Sequence, residues 1–323
     1  MKALVLIGGL GTRLRPVTYT VPKQLIPLAG KPMLYHVLDL LPDDVEEAVL
    51  ATGYKADIID RYVRDHPPRV AVRTVTETTP LGTGGGMKNA GGGMSEPFFL
   101  LNSDVIAAAD LAALEETHRK SPRLGTMVLA EVEDTRPFGV AALGPDDRIT
   151  ACVEKPEPAR APSHWINAGL AVWARSLLDR IPAGRPVSFE QEVVPGLLAE
   201  GLYGLRLAGF WDDAGTPEHL FRCQRFLFDA GRGTSVGLPA GASGRGPVAV
   251  MEGATAYGAS FGGYVTLGTG AKVETEAYLE DAVVMDGASV GRGARLIRTI
   301  VGPGMRVGPG SVVTGQVVGA PAG

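Results

Sequence analysis

The feature that most restricts the fold is a six-residue period near the end of the chain. Glycines and other small residues fill much of this stretch. Apolar residues recur at every sixth position, with two slips of one residue, at Phe261, Leu267, Val273, Leu279, Met285, Val290, Leu296, Val301, Val307 and Val313. This spacing predicts a solenoid with a triangular cross-section, in which each six-residue repeat forms one side and points one apolar residue inward. The alternative is a glycine-rich disordered tail, which would not keep these positions in near-constant phase.

The chain before this stretch alternates between strand and helix patterns. The strand patterns are Lys2–Ile7, Val45–Ala51, Arg69–Val75, Pro97–Asn102, Leu124–Val132 and Ile166–Trp173. The helix patterns are Pro32–Leu41, Lys55–His66, Asp110–Lys120 and Pro217–Phe228. This alternation predicts a Rossmann-like α/β domain with a mainly parallel sheet over residues 1–228. Residues 229–247 are rich in Gly, Ala and Pro, as linkers are, and separate it from the solenoid domain at 248–323.

Composition excludes several classes of protein. The formal net charge of −4 gives no long-range attraction for nucleic acid. The two cysteines, Cys152 and Cys223, lack metal-site spacing and are typical of a reducing compartment. The first apolar run, residues 3–7, is too short for a signal peptide, and no run has the length of a membrane span. We therefore expect a cytoplasmic protein with no membrane or nucleic-acid partner.

A glycine-rich loop follows the first predicted strand, with the sequence GGLGTRLRP over residues 8–16. Backbone N–H groups in such a loop can approach a phosphate closely. The loop lacks the Gly-Lys-Ser/Thr ending of a Walker loop, and Leu14 replaces the third glycine of a dinucleotide fingerprint. Arg13 offers a two-pronged contact to phosphate, and Lys23 adds a second cation. The alternative is a surface turn with two solvated charges.

A longer signature surrounds this loop. It comprises Gly8 to Arg13, Arg15-Pro16, Thr18, Pro22-Lys23, Leu25, Pro27 and Lys31-Pro32-Met33. These residues resemble the signature of the sugar nucleotidylyltransferases, or NDP-sugar pyrophosphorylases, and the resemblance extends over the whole chain. It is greatest for the mannose-1-phosphate guanylyltransferases, and the repeats resemble the left-handed parallel β-helix of hexapeptide-repeat proteins. The resemblance implies that Arg13 and Lys23 stabilise the departing pyrophosphate, and that the nucleotide phosphates are lined by Gly8, Gly9, Gly11 and Thr12.

Carboxylates at two places in the sequence are expected to bind a metal ion. Asp104 falls at the end of an apolar strand pattern, where ligands of open α/β sheets bind and where a hard oxygen ligand suits Mg²⁺. An Asp there also commonly caps a turn. Asp212 and Asp213 precede the predicted helix at Pro217, and Asp213 falls on the metal-binding position of the family pattern. The resemblance implies that Asp104 and Asp213 hold one Mg²⁺ at the α-phosphate, with Asp212 in a supporting role.

Four residues are expected to contact the sugar phosphate. The tripeptide Glu154-Lys155-Pro156 resembles the family's Glu-Lys-Pro motif, which implies that Lys155 neutralises the phosphate and Glu154 binds sugar hydroxyls. Asn167 lies in an Asn-Ala-Gly stretch of the family, and its amide can both donate and accept. Glu190 is a further candidate from the stretch after Ser188. The alternatives are a surface tripeptide, an edge-strand Asn and a helix capped by Ser188.

The stretch LGTGGG at residues 81–86 is expected to pass over the base, with Glu77 before it and Gly82 as a nucleotide contact. The stretch lacks the Gln found in thymidylyltransferases of this fold. Its small residues are typical of guanylyl and uridylyl branches. Extra glycines would leave room for a purine, so GTP is the first choice of nucleotide.

The implied reaction is attack by a phosphate oxygen of the sugar 1-phosphate on the α-phosphorus, with pyrophosphate leaving in line. The nucleophile is already ionised, so none of the five histidines needs a catalytic role. The resemblance leaves open another hexose, a heptose or a cyclitol phosphate, and another nucleotide. A non-catalytic subunit that senses nucleotide sugars is the main alternative. A hexapeptide-repeat acyltransferase is disfavoured because the last histidine, His219, precedes the repeats. We expect self-association through the β-helix domain.

Overall fold

A computed structural model describes residues 1–120 and 123–321, so the last two residues of the predicted 248–323 domain lie outside it. Its helices are α1 (Met33–Leu38), α2 (Ala56–Asp65), α3 (Gly82–Ala90), α4 (Leu111–Arg119), α5 (Leu177–Arg180), α6 (Val194–Gly201) and α7 (Pro217–Asp229). Short 3₁₀ helices cover Thr12–Leu14, Val17–Tyr19, Lys23–Leu25 and Pro158–Arg160, and a π-helical segment covers Phe189–Val193.

The strands, in chain order, are β1 (Lys2–Ile7), β2 (Pro27–Leu28), β3 (Lys31–Pro32), β4 (Glu47–Thr52), β5 (Val72–Thr76), β6 (Phe98–Asn102), β7 (Val105–Ala107), β8 (Gly125–Glu131), β9 (Gly139–Leu143), β10 (Ile149–Glu154), β11 (Trp165–Trp173), β12 (Leu202–Arg206), β13 (Trp211–Asp213), β14 (Ser243–Gly244), β15 (Val248–Val250), β16 (Ser260–Leu267), β17 (Lys272–Val273), β18 (Tyr278–Val284), β19 (Ser289–Val290), β20 (Arg295–Val301), β21 (Arg306–Val307), β22 (Val312–Thr314) and β23 (Val317–Val318).

The chain divides into two compact units. The first unit comprises Met1–Gly8 and Val37–Trp211, and the second comprises Gly9–His36 and the chain from Asp212 onward. These units do not coincide with the domain limits expected from the sequence, because residues 9–36 cluster with the C-terminal part of the chain. The limits 1–228, 229–247 and 248–323 stay a prediction. No helix of the described residues is long and apolar enough to cross a membrane.

The first unit is built on a mixed sheet with the strand order β10-β9-β11-β6-β1-β4-β5. Strand β8 also pairs with β11, and β12 pairs with β8. Strands β6, β1, β4 and β5 run parallel, and Leu4 in β1 faces both Val49 and Leu100. These three residues are buried, as expected for parallel strands covered on both faces. The predicted α/β architecture is confirmed. The sheet is less uniformly parallel than expected, because β11 pairs antiparallel with β6, β8 and β9.

The apolar core of the first unit continues around β11. Trp173 at the end of this strand is fully buried and packs edge-to-face against Phe189, with ring centroids 5.4 Å apart. Gly125 lies opposite, and a Cβ there would stand 2.3 Å from the Trp173 ring. Any larger residue at position 125 would therefore displace the indole. This packing fixes the π-helical segment that begins at Phe189.

The second unit contains parallel coils. Lys272 pairs with Ser289 and Ser289 with Arg306, so each coil advances the chain by 17 residues. In the facing sheet, Leu279 pairs with Leu296 in the same sense. The apolar positions expected from the six-residue period are buried, except Val313, which is partly buried against the same core. The expected β-helix is therefore confirmed, because stacking of the coils removes three apolar columns from water, which contain Leu279 and Leu296, Val284 and Val301, and Val290 and Val307.

The pairing of the strands corrects one position of the six-residue period. The residue aligned with Leu267 and Val301 is Val284, whereas the sequence pattern indicated Met285. Met285 is buried as well, but it lies one residue past the aligned column. The bulge at Gly262 explains the change, because Phe261 pairs with Leu279 and the next pair shifts by one residue.

We predict that Leu296→Ala lowers the free energy of unfolding by about 2–4 kcal/mol, because it leaves a cavity in the closed coil. Leu296 is fully buried between Leu279 and Val313. The matched control is Val312→Ala in the next coil, whose side chain is 73% exposed and whose loss should cost under about 0.5 kcal/mol. Guanidinium unfolding followed by circular dichroism measures both. Equal losses would contradict the assigned register.

Candidate active site

A small cavity in the first unit brings together three of the residues expected to bind the sugar. Glu154, Asn167 and Glu190 line it, with Gly139 and Cys152 among the other lining residues. Glu154 is the last residue of β10, Asn167 lies in β11, and Glu190 lies in the π-helical segment. Residues far apart in sequence thus present two carboxylates and one amide to the same space, a set that can bind hydroxyl groups.

An irregularity in β11 positions Asn167. The strand pairs Asn167 with Leu129 but resumes at Ala171 with Met127, which leaves a bulge between them. Within the bulge, the Asn167 carboxamide oxygen accepts a hydrogen bond from the Gly169 N–H at 3.0 Å. Gly169 has φ of +73°, and a Cβ there would stand 2.6 Å from the Asn102 side chain. The internal hydrogen bond occupies the oxygen of Asn167 and leaves its NH₂ group as the donor for a ligand.

Glu190 is held by a residue that the sequence did not single out. The Thr83 hydroxyl donates to Glu190 Oε2 at 2.6 Å and accepts a hydrogen bond from the Phe189 N–H at 2.9 Å. These contacts orient the carboxylate and tie the start of α3 to the π-helical segment. Thr83 and Glu190 are 107 residues apart, so no local pattern could have paired them.

Residues 81–86 were not among the expected helices, but α3 begins at Gly82. The Gly84 and Gly85 N–H groups both donate to the Val187 carbonyl oxygen, at 2.9 and 3.4 Å. A Cβ at Gly84 would stand 3.0 Å from the Val187 side chain, and one at Gly85 would stand 2.8 Å from Leu81. The space beside Gly84 and Gly85 is therefore filled by protein. The expectation of room for a purine is wrong at Gly84 and Gly85 and stays a prediction at Gly86, where a Cβ would meet only Glu77 Oε2, at 3.9 Å.

Lys155 directly follows the cavity strand. Its Nζ lies 3.3 Å from Glu154 Oε1, and its side chain is 63% exposed. Its φ of +45° is unusual for a residue with a side chain and turns the chain sharply after β10. This exposed cation, beside a half-buried carboxylate that lines the cavity, can meet a ligand phosphate.

Burial and, to a smaller extent, the nearby Glu154 and Glu190 carboxylates together raise the pKa of the Cys152 thiol to about 11. Cys152 therefore stays a neutral thiol at neutral pH and lines the cavity as a weakly polar surface. It is not poised to act as a nucleophile. Sequence reasoning had not placed it at the site.

The glycine-rich loop follows β1, and all of it after Gly8 belongs to the second unit. Gly9 and Gly11 have φ of +87° and +59°. A Cβ at Gly9 would meet no atom within 4 Å, whereas one at Gly11 would stand 2.8 Å from Thr18. The Thr18 hydroxyl fixes the loop by donating to the Gly11 carbonyl oxygen at 2.8 Å. Thr12 then begins the 3₁₀ helix that carries Arg13, and half-buried Lys23 begins another.

The second unit places Arg13 beside Asp213, with Nη2 of the arginine 3.6 Å from Oδ2 of the carboxylate. Arg13 is 57% exposed, so most of the guanidinium remains accessible. Gly215 makes the approach possible, because a Cβ there would stand 2.4 Å from Arg13 Nη2. The second unit therefore combines a cation for phosphate and a carboxylate in one place.

Asp212 and Asp213 have different surroundings. Asp212 is 3% exposed and lies between His219 Nδ1, 2.8 Å from Oδ1, and Arg222 Nε, 3.1 Å from Oδ2. Burial raises the pKa of the Asp212 carboxyl to about 6, although both neighbours oppose the rise. Asp213 is 18% exposed. The more accessible carboxylate is therefore the one that the sequence favoured as metal ligand.

His219, like the other histidines, was expected to need no catalytic role, but it contacts both carboxylates. Its Nδ1 also lies 2.9 Å from Asp213 Oδ1. Thr216 caps α7 and Pro217 begins it, so His219 falls in the first turn, where its ring reaches back to the strand end. His36 and His118 are packing residues as expected, because burial lowers their pKa values to about 3 and about 4.

A divalent cation fits the chemistry of these donors. Asp212, Asp213 and His219 each offer a ligand atom, and these atoms lie within 4.8 Å of one another. Carboxylate oxygens are the ligands that Mg²⁺ prefers. Asp104, the other expected ligand, lies in the first unit in the turn between β6 and β7.

Comparison with known families and proteins adds to this geometry. Residues 2–230 match the nucleotidyl transferase family, and residues 248–317 match the GlmU-like, C-terminal hexapeptide family. The chain is 39% identical over 305 residues to the mannose-1-phosphate guanylyltransferase of Mycobacterium tuberculosis (strain ATCC 25618 / H37Rv), covering 92% of this chain and 83% of that protein. It is 36% identical over 313 residues to the probable mannose-1-phosphate guanylyltransferase 1 of Oryza sativa subsp. japonica, covering 94% and 86%.

Solved structures show the same fold for the larger part of the chain. The crystal structure of HddC from Yersinia pseudotuberculosis matches with a TM-score of 0.59 and 29% identity, covering 70% of this chain and 99% of that one. HddC complexed with GMP-PN matches with a TM-score of 0.58 over the same shares.

Proposed function

The chain belongs to the nucleotidyl transferase family as a sugar-1-phosphate nucleotidyltransferase, and we propose that it transfers GMP from GTP to mannose 1-phosphate. The products are GDP-mannose and pyrophosphate. The relatives named above are mannose-1-phosphate guanylyltransferases at 36–39% identity, and their names support both substrates.

The observation that carries the sugar side of this proposal is the shared cavity of Glu154, Asn167 and Glu190. A sugar offers several hydroxyls that can each donate and accept, and the three side chains offer two acceptors and a donor. The space that they enclose is only about 10 Å³, so the sugar would bind at its rim. Lys155 beside Glu154 would neutralise the phosphate on C1. Thr83 would hold Glu190 in place while the sugar binds.

The choice of GTP rests on the relatives and not on space beside the glycines of α3. HddC, which is 29% identical to this chain, has been solved with GMP-PN. We propose that the nucleotide contacts Gly8, Gly9, Gly11, Thr12 and Gly82, as the family signature implies. The open surface at Gly9 supports close approach of a phosphate.

Catalysis in this proposal needs positioning and charge neutralisation. The phosphate of the sugar substrate is the nucleophile and is already ionised, so no protein group has to remove a proton. Arg13 and Lys23 would stabilise the pyrophosphate as it leaves. Mg²⁺, held by Asp104 and Asp213, would offset charge at the α-phosphate. Asp212 would support the site through His219 and would not bind the metal.

Pyrophosphate release tests the substrates directly. The purified protein with Mg²⁺ is assayed with GTP, UTP, ATP, CTP and dTTP against mannose 1-phosphate, glucose 1-phosphate, a heptose phosphate and a cyclitol phosphate. We expect the highest kcat/KM for GTP with mannose 1-phosphate. A preference for another pair of substrates would support nucleotidyl transfer but contradict GTP and mannose 1-phosphate as the substrates. Tight binding of GDP-mannose without release from any pair would favour a sensing subunit.

We predict that Lys155→Ala raises KM for the sugar phosphate about 10- to 100-fold, because a charge-assisted contact of about 1.5–3 kcal/mol is lost. KM for GTP should change little. The matched control is Lys120→Ala, which removes another exposed lysine of the first unit. Steady-state kinetics with each substrate varied in turn measures the effect. If only KM for GTP changed, the assignment of Lys155 to the sugar phosphate would be wrong.

A further inference from the structure

The coils of the second unit contain a column of residues in the left-handed backbone region. Tyr264, Asp281, Arg298 and Gly315 follow one another at the 17-residue spacing, with φ of 50°, 46°, 45° and 66°. Left-handed backbone is uncommon for residues with a side chain and is easily adopted by glycine. Three of these four positions nevertheless carry large polar side chains. We call these four residues the turning column.

Helix α7 supplies partners for the first two side chains of the turning column. The Tyr264 hydroxyl donates to Asp229 Oδ1 at 2.9 Å. Asp281 is 4% exposed, and both its oxygens accept hydrogen bonds from the Arg225 guanidinium, one of them at 2.9 Å. Tyr264 and Asp281, which lie in successive coils, therefore contact the same face of α7.

The third side chain, Arg298, is exposed and makes no ion pair or hydrogen bond to any residue within 1–120 and 123–321. Its backbone has the same unfavourable φ as its neighbours in the column. A residue held in such a conformation is commonly found where a site is built. The exposed Arg298 guanidinium is therefore available to a ligand.

Arg298 lines a cavity of about 670 Å³ within the second unit. The other charged side chains that line it are Arg222, Arg225, Glu218 and Asp281, and His219 lines it as well. This volume lies within the range of about 300–1,000 Å³ that small-molecule sites occupy. Neither Asp212 nor Asp213 lines the cavity.

The charges in this cavity favour an anion. Asp281 is neutralised by Arg225, whose Nη1 takes no part in that pair. Arg222 contacts Asp212 through Nε, which leaves its two terminal nitrogens. Arg298 has all its donors available, and Glu218 is the remaining acidic group. Three guanidinium groups around one space match the planar two-pronged contacts that phosphate oxygens accept.

We propose that this cavity binds a phosphorylated small molecule through Arg222, Arg225 and Arg298, at a site separate from the residues assigned above to substrates. The site adjoins the candidate metal carboxylates, because His219 lines the cavity and contacts Asp213. A bound phosphate thus lies one side chain away from the catalytic machinery.

The test is the variant Arg298→Gly, which removes the charge and accepts the left-handed φ without strain. The probe is inorganic phosphate, compared with chloride at equal ionic strength. Thermal melting is followed for the wild type, Arg298→Gly and the matched control Arg306→Ala. Arg306 is an exposed arginine of another strand of the β-helix that does not line the cavity.

Phosphate should raise the melting temperature of the wild type and of Arg306→Ala, because it binds the folded state only. For Arg298→Gly the rise should fall by half or more, while its melting temperature in chloride is no lower than that of the wild type. Phosphate bound at the substrate site contributes equally to all three proteins. An equal rise in all three would overturn the proposal. The result does not depend on nucleotidyl transfer, which the substrate panel tests separately.

Discussion

Helix α7, with the buried polar contacts along it, holds the second unit together. At its start, His219 and Arg222 contact Asp212, which lies almost completely out of water. At its middle, the Gln224 side chain is buried and bonds the Tyr264 carbonyl oxygen at 2.6 Å and the Thr266 hydroxyl at 2.7 Å. A buried polar group is costly unless it is paired, so these contacts fix the helix in one register against the coils. Asp213 is positioned by the same arrangement.

The candidate site of the first unit lies where regular secondary structure is interrupted. The bulge in β11 orients Asn167, the π-helical segment carries Glu190, and the positive φ of Lys155 turns the chain after β10. Bulges and π-helical segments redirect side chains that a regular strand or helix would point elsewhere. The regular parallel strands β6, β1, β4 and β5 supply a rigid frame beside them. The candidate sugar-binding residues are thus concentrated where the backbone departs from the pattern that the hydrophobic periodicity predicts.

Patterns within short stretches could be predicted from the sequence, and contacts between distant stretches could not. The apolar strands around Leu4, the helix capped by Asp110 and the six-residue period all follow from local chemistry. Helix α3 was missed because its glycines disfavour a helix, and Val187 packing against Gly84 overrides that preference. The same packing fills the space beside Gly84 and Gly85 that a purine was expected to occupy. The contacts of Thr83 with Glu190 and of Arg225 with Asp281 join residues more than 50 positions apart, which no local spacing reveals.

The central claim is direct transfer of a nucleotidyl group between two phosphates, without a protein nucleophile. Incubation with ³²P-labelled pyrophosphate and Mg²⁺ tests it in the reverse direction. With GDP-mannose present, label should appear in GTP, because pyrophosphate attacks the α-phosphorus and mannose 1-phosphate leaves. With unlabelled GTP alone, no label should exchange into GTP. Exchange with GTP alone would reveal a covalent nucleotidyl-enzyme, and absence of labelled nucleotide with every nucleotide sugar would contradict nucleotidyl transfer itself.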